Sequence, residues 1–369
     1  MTHTLHIVTP EYPPEPGGVS DFCRILAEGL VERGLTVEVW CPPAGDRQNS
    51  PGLTIHPTLG DFGRASLAAT DRALDAFPTP RRLLVQWVPH GYGWKAMNLA
   101  FCWWLHRRMR RGDVIELMVH EAFVTFTGKV RHRAMAAVHR LMVYVILRAA
   151  KRVWCTIPTW EQVLRPYAPK GADFRRLPVP SCVPQLESNE PTAPEFTFGH
   201  FSSLGISTAQ PLHAILPELL SAMPDASVLV IGLRSHAFRE EFLRAHDAFR
   251  NRVVSTGNIP LRDVPKQLHR CKVMLQAVMG GASGRNTSLL ASLANGLAMV
   301  TTTGRLTEPY WAESGAVAFA ADGDVPGFVR EAIRVANSAD GQRTLRLNGR
   351  ELYERQFHLS HLIDELLSV

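Results

Sequence analysis

The sequence predicts an α/β protein of two doubly wound parallel sheets facing each other across a cleft, and three observations carry that expectation. Short β-branched and apolar runs alternate with longer stretches of helical period from end to end, the pattern of parallel sheets covered on both faces. At 369 residues the chain exceeds one ordinary core, since domains typically hold roughly 100–200 residues. A proline-rich stretch without periodicity, LPVPSCVPQLESNEPTAPEF at 177–196, divides it into comparable halves.

The first element is the strand THTLHIVT, followed by the loop PEYPPEPGGVS, a helix over DFCRILAEGLVERGL and a second strand, TVEVWCP. Phe22, Ile25, Leu26, Leu30 and Val31 fall on one helix face, Gly34 is the stop, and Ser20 or Asp21 supplies the cap. The crossover begins at Gly17-Gly18, where bare amides and the positive end of the helix can receive an anion, phosphate first of all. A tight turn without a ligand is the other reading. LLVQWV, DVIELMVH and RVWCTI read as further strands of the first half; FTFGHF, SVLVIG, RVVSTG, KVMLQAV and AMVTTTG read as strands of the second. Leu212, Ile215, Leu216, Leu219, Leu220 and Met223 form the stripe of a sheet-packed helix. The expected domains are 1–178 and 197–352, with a linker over 179–196 and a C-terminal helix over 353–369 that packs back on the first domain.

Hydrophobic content of 46% and charged content of 20% describe a soluble, well-packed globule. No run of 18 or more uncharged apolar residues occurs, and the N-terminus opens a strand rather than a signal peptide, so a cytoplasmic protein is expected. Six cysteines, at 23, 41, 102, 155, 182 and 271, stand singly without zinc-finger spacing and read as reduced, mostly buried thiols. Much of the net charge of +6 sits in AFCWWLHRRMRRG, where Phe101, Trp103 and Trp104 adjoin Arg107, Arg108, Arg110 and Arg111. Such a segment can lie on an anionic bilayer, or it can bury its aromatics in the core and solvate its arginines. No nucleic-acid-binding motif accompanies it.

In doubly wound sheets ligands bind beyond the carboxyl ends of the strands, and those ends carry the unusual residues. The first half offers Gly17-Gly18, then His90-Gly91-Tyr92-Gly93, then His120-Glu121. The second offers Gly199-His200 with Ser202-Ser203, Gly257-Asn258, the loop GGASGRNTS, and Gly304 to Glu308. GYGWKA at 91–96 matches a dinucleotide fingerprint, but its bulky variable residues and its distance from the first strand argue against a nicotinamide site. His120-Glu121 resembles the start of a zinc-protease motif, yet Val124 stands where the second histidine is needed, which excludes zinc. In the tract 280–304, Arg285 precedes Asn286, Thr287 and Ser288 at the start of a helix with Leu289, Leu290 and Leu293 inward. A guanidinium beside hydroxyls and free helix amides is a cradle for phosphate oxygens; a capped helix with a surface arginine is the alternative.

Taken in order, these segments resemble the bacterial family-four glycosyltransferases of the GT-B fold, which has two Rossmann-like domains. PEYPPEPGGVSDFCRILAEGLVERG is similar to that family's glycine loop and first helix, His120-Glu121 to its histidine motif, and SLLASLANGLAMVTTTGRLTEP to its donor-binding segment. The resemblance implies transfer of a sugar from a nucleotide-diphosphate donor to a saccharide or lipid-linked acceptor, with retention of configuration and without a metal or resident cofactor. Where the family pattern has Glu, seven residues and Glu, this chain has Ser283 and Ala291; where it has Gly-Arg and a later Lys-Gly, FGHFSSLGIS gives Gly199-His200 and no lysine.

On this reading Arg285 takes the diphosphate charge and His120 lies at the sugar or departing phosphate. Gly17, Gly18, Gly199, Ser202, Asn286, Thr287, Ser288 and Glu308 belong to the donor side, with Glu308 near the ribose. His90, Tyr92 and Glu121 belong to the acceptor side. The expected role is cell-envelope or exopolysaccharide synthesis in the cytoplasm, with the basic segment docking on the inner membrane face. Two competing readings share the fold: a catalytically silent nucleotide- or glycan-binding partner, and a nucleotide-sugar epimerase.

Overall fold

The computed structural model describes residues 4–93, 96–124, 126, 130–186 and 193–368. Trp94 and Lys95 of the 91–96 stretch, and residues 187–192 of the proline-rich segment, lie outside the described residues. The chain forms two compact units, residues 1–179 with 359–369 and residues 180–358.

The first unit runs β1 (Thr4–Val8), α1 (Gly18–Glu32), β2 (Thr36–Trp40), β3 (Leu53–His56), α2 (Arg64–Leu74), β4 (Arg82–Trp87), α3 (Leu99–Arg110), β5 (Val114–Val119), α4 (Val130–Ala149), β6 (Ala150–Cys155), α5 (Pro158–Leu164) and β7 (Asp173–Arg176). Its strands form one sheet in the order β3-β2-β1-β4-β5-β6-β7, parallel throughout. Ile7 of β1 stands opposite Val39 on one side and Leu84 on the other, and all three are buried. The strand order reverses between β1 and β4, which places a topological switch point beside the β1–α1 loop.

The second unit runs β8 (Phe196–Phe201), α6 (Ile206–Ala222), β9 (Val228–Ile231), α7 (Ser235–Ala245), β10 (Val253–Ser255), α8 (Val264–His269), β11 (Cys271–Gln276), α9 (Thr287–Ala294), β12 (Met299–Thr303), α10 (Pro309–Glu313), β13 (Ala318–Ala321), α11 (Val325–Ala336) and α12 (Ala339–Gln356). Its sheet order is β10-β9-β8-β11-β12-β13, again parallel, with the switch point between β8 and β11. Leu212, Ile215, Leu216, Leu219 and Leu220 of α6 are buried against this sheet together with Val228, Val273 and Val300. Each such side chain contributes about 1.5–3 kcal/mol by leaving water. The segment read as a linker belongs largely to this unit: Leu186 donates its amide to Asn295 Oδ1 at 3.0 Å, and Glu195 pairs with Arg270 at 2.6 Å.

After α12 the chain returns to the first unit as α13 (Leu359–Leu367), whose buried Leu362, Ile363 and Leu366 meet α1. All six cysteines are free and buried. Among the described residues no helix is long and apolar enough to cross a membrane.

Candidate functional site

In the first unit the loop after β1 ends on Gly17, the N-cap of α1, so the helix starts earlier than Ser20 or Asp21 would set it. Glu11 does the capping: its Oε1 accepts the amides of Val19 at 3.1 Å and Ser20 at 3.0 Å. Two of the amides read as an open anion cradle are therefore already occupied by the chain's own carboxylate. A Cβ on Gly17 would collide with Glu11, whereas Gly18 faces open space. Burial raises the Glu11 pKa, against the opposing pull of the two amide bonds.

At the end of β5, His120 Nε2 lies 2.9 Å from Gln86 Oε1 of β4, and its ring meets Phe22 of α1 edge-on at 4.9 Å. Its carbonyl accepts Trp160 Nε1 at 2.8 Å. With Nε2–H donating to Gln86, Nδ1 is the acceptor of a neutral imidazole. Burial lowers the His120 pKa to about 4, so the ring stays uncharged near neutral pH. Next to it, Glu121 Oε2 and His90 Nε2 are 3.4 Å apart, both half-exposed, and the His90 ring meets His139 at 5.8 Å.

Tyr92 does not join them. It is fully buried, bonds through its hydroxyl to the Gln86 carbonyl, and stacks between Trp87 and Phe101. A side chain with its ring in an aromatic stack and its one polar atom satisfied is core, not an acceptor contact. The basic segment divides in the same way. Phe101, Trp104 and Arg108 of α3 are buried, and Arg108 bridges Asp113 at 2.6 Å and Asp75 at 2.7 Å. Trp103, 53% exposed, and Arg107, Arg110 and Arg111 remain on the surface.

In the second unit Gly199 lies inside β8, where a Cβ would strike Cys271 and Met274 of the neighbouring strand. Its missing side chain allows the two strands to pack. Ser202 is buried as well. His200 Nδ1–H donates to Leu275 O at 2.8 Å, so Nε2 accepts the Ser202 hydroxyl at 2.8 Å, and Ser202 Oγ in turn accepts the Leu204 amide at 3.0 Å. Both residues spend these hydrogen bonds on the turn into α6.

The loop between β11 and α9 turns on Gly280 and Gly281, with φ of +85° and +90°. A side chain at 281 would strike the Gly304 backbone. Gly280 N bonds Asp322 Oδ2 at 2.6 Å, Ala282 N bonds Thr302 O at 2.7 Å, and Leu306 N bonds Gly280 O at 2.9 Å. Glu308 completes the frame from the N-cap of α10: its carboxylate accepts Gly284 N at 3.1 Å and Trp311 Nε1 at 2.9 Å. It is 4% exposed and therefore turned into the unit, with burial raising its pKa. Glu308 thus spends its carboxylate on the loop and on Trp311. Asn286, the N-cap of α9, also turns inward, accepting Ser283 N at 2.8 Å and Ser283 Oγ at 2.9 Å. Arg285, Thr287 and Ser288 are half-buried at the start of α9. Ser283 and Ala291, which stand at the resembled family's glutamate positions, are both fully buried. A backbone fixed by this many bonds is preorganised for charge at the α9 N-terminus.

Two residues missed in the sequence are Gln86 and Gln276. Each is a buried glutamine near the carboxyl end of a central strand, β4 or β11, and each keeps one polar atom without a hydrogen-bond partner, Gln86 Nε2 and Gln276 Oε1. The single polar letter in LLVQWV and in KVMLQAV is the signal that could have found them. Among the described residues no group of three or more His, Cys, Asp or Glu could hold a metal ion.

No family model matches the sequence, and no curated protein does. Solved structures match over nearly the whole chain. Sucrose-phosphate synthase from Thermosynechococcus elongatus superposes with a TM-score of 0.75 at 15% identity, covering 99% of this chain and 98% of that one. HepE of Anabaena in complex with UDP-glucose gives 0.70 at 13% identity and 99% of each chain. WaaG, a glycosyltransferase involved in lipopolysaccharide biosynthesis, gives 0.65 at 14% identity and 98% of each. At such identities the likeness establishes the fold: the chain has the two parallel-sheet α/β domains of the GT-B glycosyltransferases.

Proposed function

We propose that the protein is a metal-independent, retaining glycosyltransferase that moves a sugar from a nucleotide-diphosphate donor to a saccharide or lipid-linked acceptor in cell-envelope or exopolysaccharide synthesis. The observation that carries this reading is the pinned glycine loop of the second unit, which ends on Arg285, Thr287 and Ser288 at the start of α9. Guanidinium, hydroxyls and helix dipole together match a diphosphate. In the reaction the bond from the anomeric carbon to the diphosphate oxygen breaks and its electron pair stays on the diphosphate. The acceptor hydroxyl bonds to the same carbon from the same face, and its proton passes to the departing phosphate oxygen. Arg285 stabilises the charge that builds on the leaving group.

The acceptor side is assigned to the first unit. His120 is neutral, so it positions a sugar hydroxyl through Nδ1 and does not serve as an obligatory base. His90 and Glu121 complete that surface, and the open side of Gly18 stays with the donor. Trp103 with Arg107 and Arg110 is the part of α3 left to meet an anionic membrane. A silent binding protein on the same fold is the second reading, favoured by the burial of Ser283 and Ala291, where no carboxylate is offered.

Thermal-shift screening against a panel of nucleotide-diphosphate sugars tests the donor site, because a ligand that binds only the folded state raises Tm with occupancy. At least one donor should raise Tm, and Arg285→Ala should abolish that shift. A flat response across the panel contradicts the assignment.

A further inference from the structure

We propose that the second unit holds a second anion site, at the opposite end of its strands from the glycine loop, that takes a small molecule bearing a phosphate group. A cavity of about 830 Å³ opens there. Its walls come from the amino ends of strands: Phe196 begins β8, Lys272 is the second residue of β11, and Leu297 precedes β12. The loop at 280–288 follows the other end of β11, a strand of six residues, so about 20 Å separates the two places. The proposal is independent of the glycosyl-transfer reading.

Three cations face this cavity, Lys272 from β11 and Arg346 and Arg350 from α12, with His269 beside them. Glu195 supplies the carboxylate among the described lining residues, and it is spent on Arg270, which grips it through Nη2 at 2.6 Å and Nε at 3.0 Å. The Arg346 Nε is buried without a hydrogen-bond partner, and Nη2 makes only a 3.5 Å contact to Lys272 O. Burial lowers the Arg346 pKa; burial, then Arg346 and Arg350, lower that of His269. Arg346 as a whole is partly exposed, but a buried guanidinium Nε–H with its hydrogen bond unmet is costly unless an anion comes to it.

Phosphate fits this set better than a carboxylate does. Two guanidinium forks and an ammonium match a tetrahedral dianion with several acceptor oxygens. The cavity is much larger than inorganic phosphate and falls within the ~300–1,000 Å³ of small-molecule sites. Phe196 and Leu297 give it apolar wall, so an organic group is expected on the phosphate. A soluble phosphomonoester and a phosphatidic-acid headgroup share that chemistry.

Calorimetric titration of the full-length protein with inorganic phosphate and glycerol 3-phosphate, beside co-sedimentation with phosphatidylcholine vesicles with and without phosphatidic acid, tests the site. Binding of a soluble probe assigns a metabolite, sedimentation only with phosphatidic acid assigns a headgroup, and binding of neither overturns the proposal. In Arg346→Gln/Arg350→Gln the affinity should fall at least about tenfold, the equivalent of one charge-assisted hydrogen bond, while Arg285→Ala should leave it unchanged. The reverse pattern would place the phosphate at the glycine loop and overturn the proposal. If the double variant does not fold, mass-spectrometric mapping of phenylglyoxal adducts on the wild-type protein decides. Glycerol 3-phosphate or phosphatidic-acid vesicles should protect Arg346 and Arg350, and no protection by either contradicts the site.

Discussion

His6 and His200 are neutral imidazoles held inside their units, and both carry a pH dependence that can be measured. His6 Nδ1 accepts Trp40 Nε1 at 3.1 Å, and burial with the nearby Arg81, His56 and Arg108 lowers its pKa to about 4. Burial does the same to His200, against the pull of its bond to Leu275. A folded pKa below the unfolded value of 6.5 means that the unfolded chain binds the proton first. The stability is therefore fully present above 6.5 and is lost as the pH falls from 6.5 toward about 4, by roughly 3 kcal/mol for each group. Urea unfolding followed from pH 7.5 downward should show this loss in each unit. His200→Phe should start from a lower stability and lose less of it over that interval in the second unit, and an unchanged slope would refute the assignment. The same scale shows where sequence reading stops. Glu11, Tyr92 and Glu308 are reactive-looking letters at strand ends, yet each is turned inward by a partner far away or out of register: the Val19 and Ser20 amides, the Gln86 carbonyl, the Gly284 amide. Sequence shows which side chains could bind a ligand; only tertiary pairing shows which are already bonded.

Elements were more legible than side chains, for a physical reason. Buried parallel strands are continuous apolar runs, so β1, β4, β5, β8, β9, β11 and β12 stand out in the sequence. The short edge strands β3, β7 and β13 do not, because each pairs on one side only and leaves half or more of its residues incompletely buried; the fourth edge strand, β10, stands out through its Val253-Val254 pair. The start of α1 was misplaced since its capping side chain comes from Glu11, beyond the reach of local cap rules. Element α13 illustrates packing that depends on an absent side chain. A Cβ at Gly29 of α1 would lie 2.6 Å from Ile363 Cδ1, so the glycine lets the two helices close. Ile363→Ala should cost the first unit about 2–4 kcal/mol by opening a cavity at that contact. Hydrogen exchange should quicken in α1 and β4 and stay unchanged in α6 and β11; exchange quickened equally in both units would show that α13 serves the second as well.

At the scale of the whole molecule, the alternation of strand and helix and the proline-rich divide were enough to foresee two doubly wound sheets. The same architecture appears in solved glycosyltransferases at 10–15% identity. A fold at that distance hosts many chemistries, so the function rests on the site. Here two buried small residues, Ser283 and Ala291, stand where the resembled pattern has a glutamate pair, and in the reaction we propose the diphosphate falls to Arg285 and the α9 N-terminus. Nucleoside diphosphate release is the measurement that bears most directly on this claim, taken over a panel of nucleotide sugars with saccharide and lipid-linked acceptors. Release should depend on the acceptor for at least one donor, with kcat/KM lowered about 100-fold or more in Arg285→Ala, the scale of losing a preorganised charge at a leaving group. Donor binding without release from any pair, or release that is equal in wild type and Arg285→Ala, would contradict it.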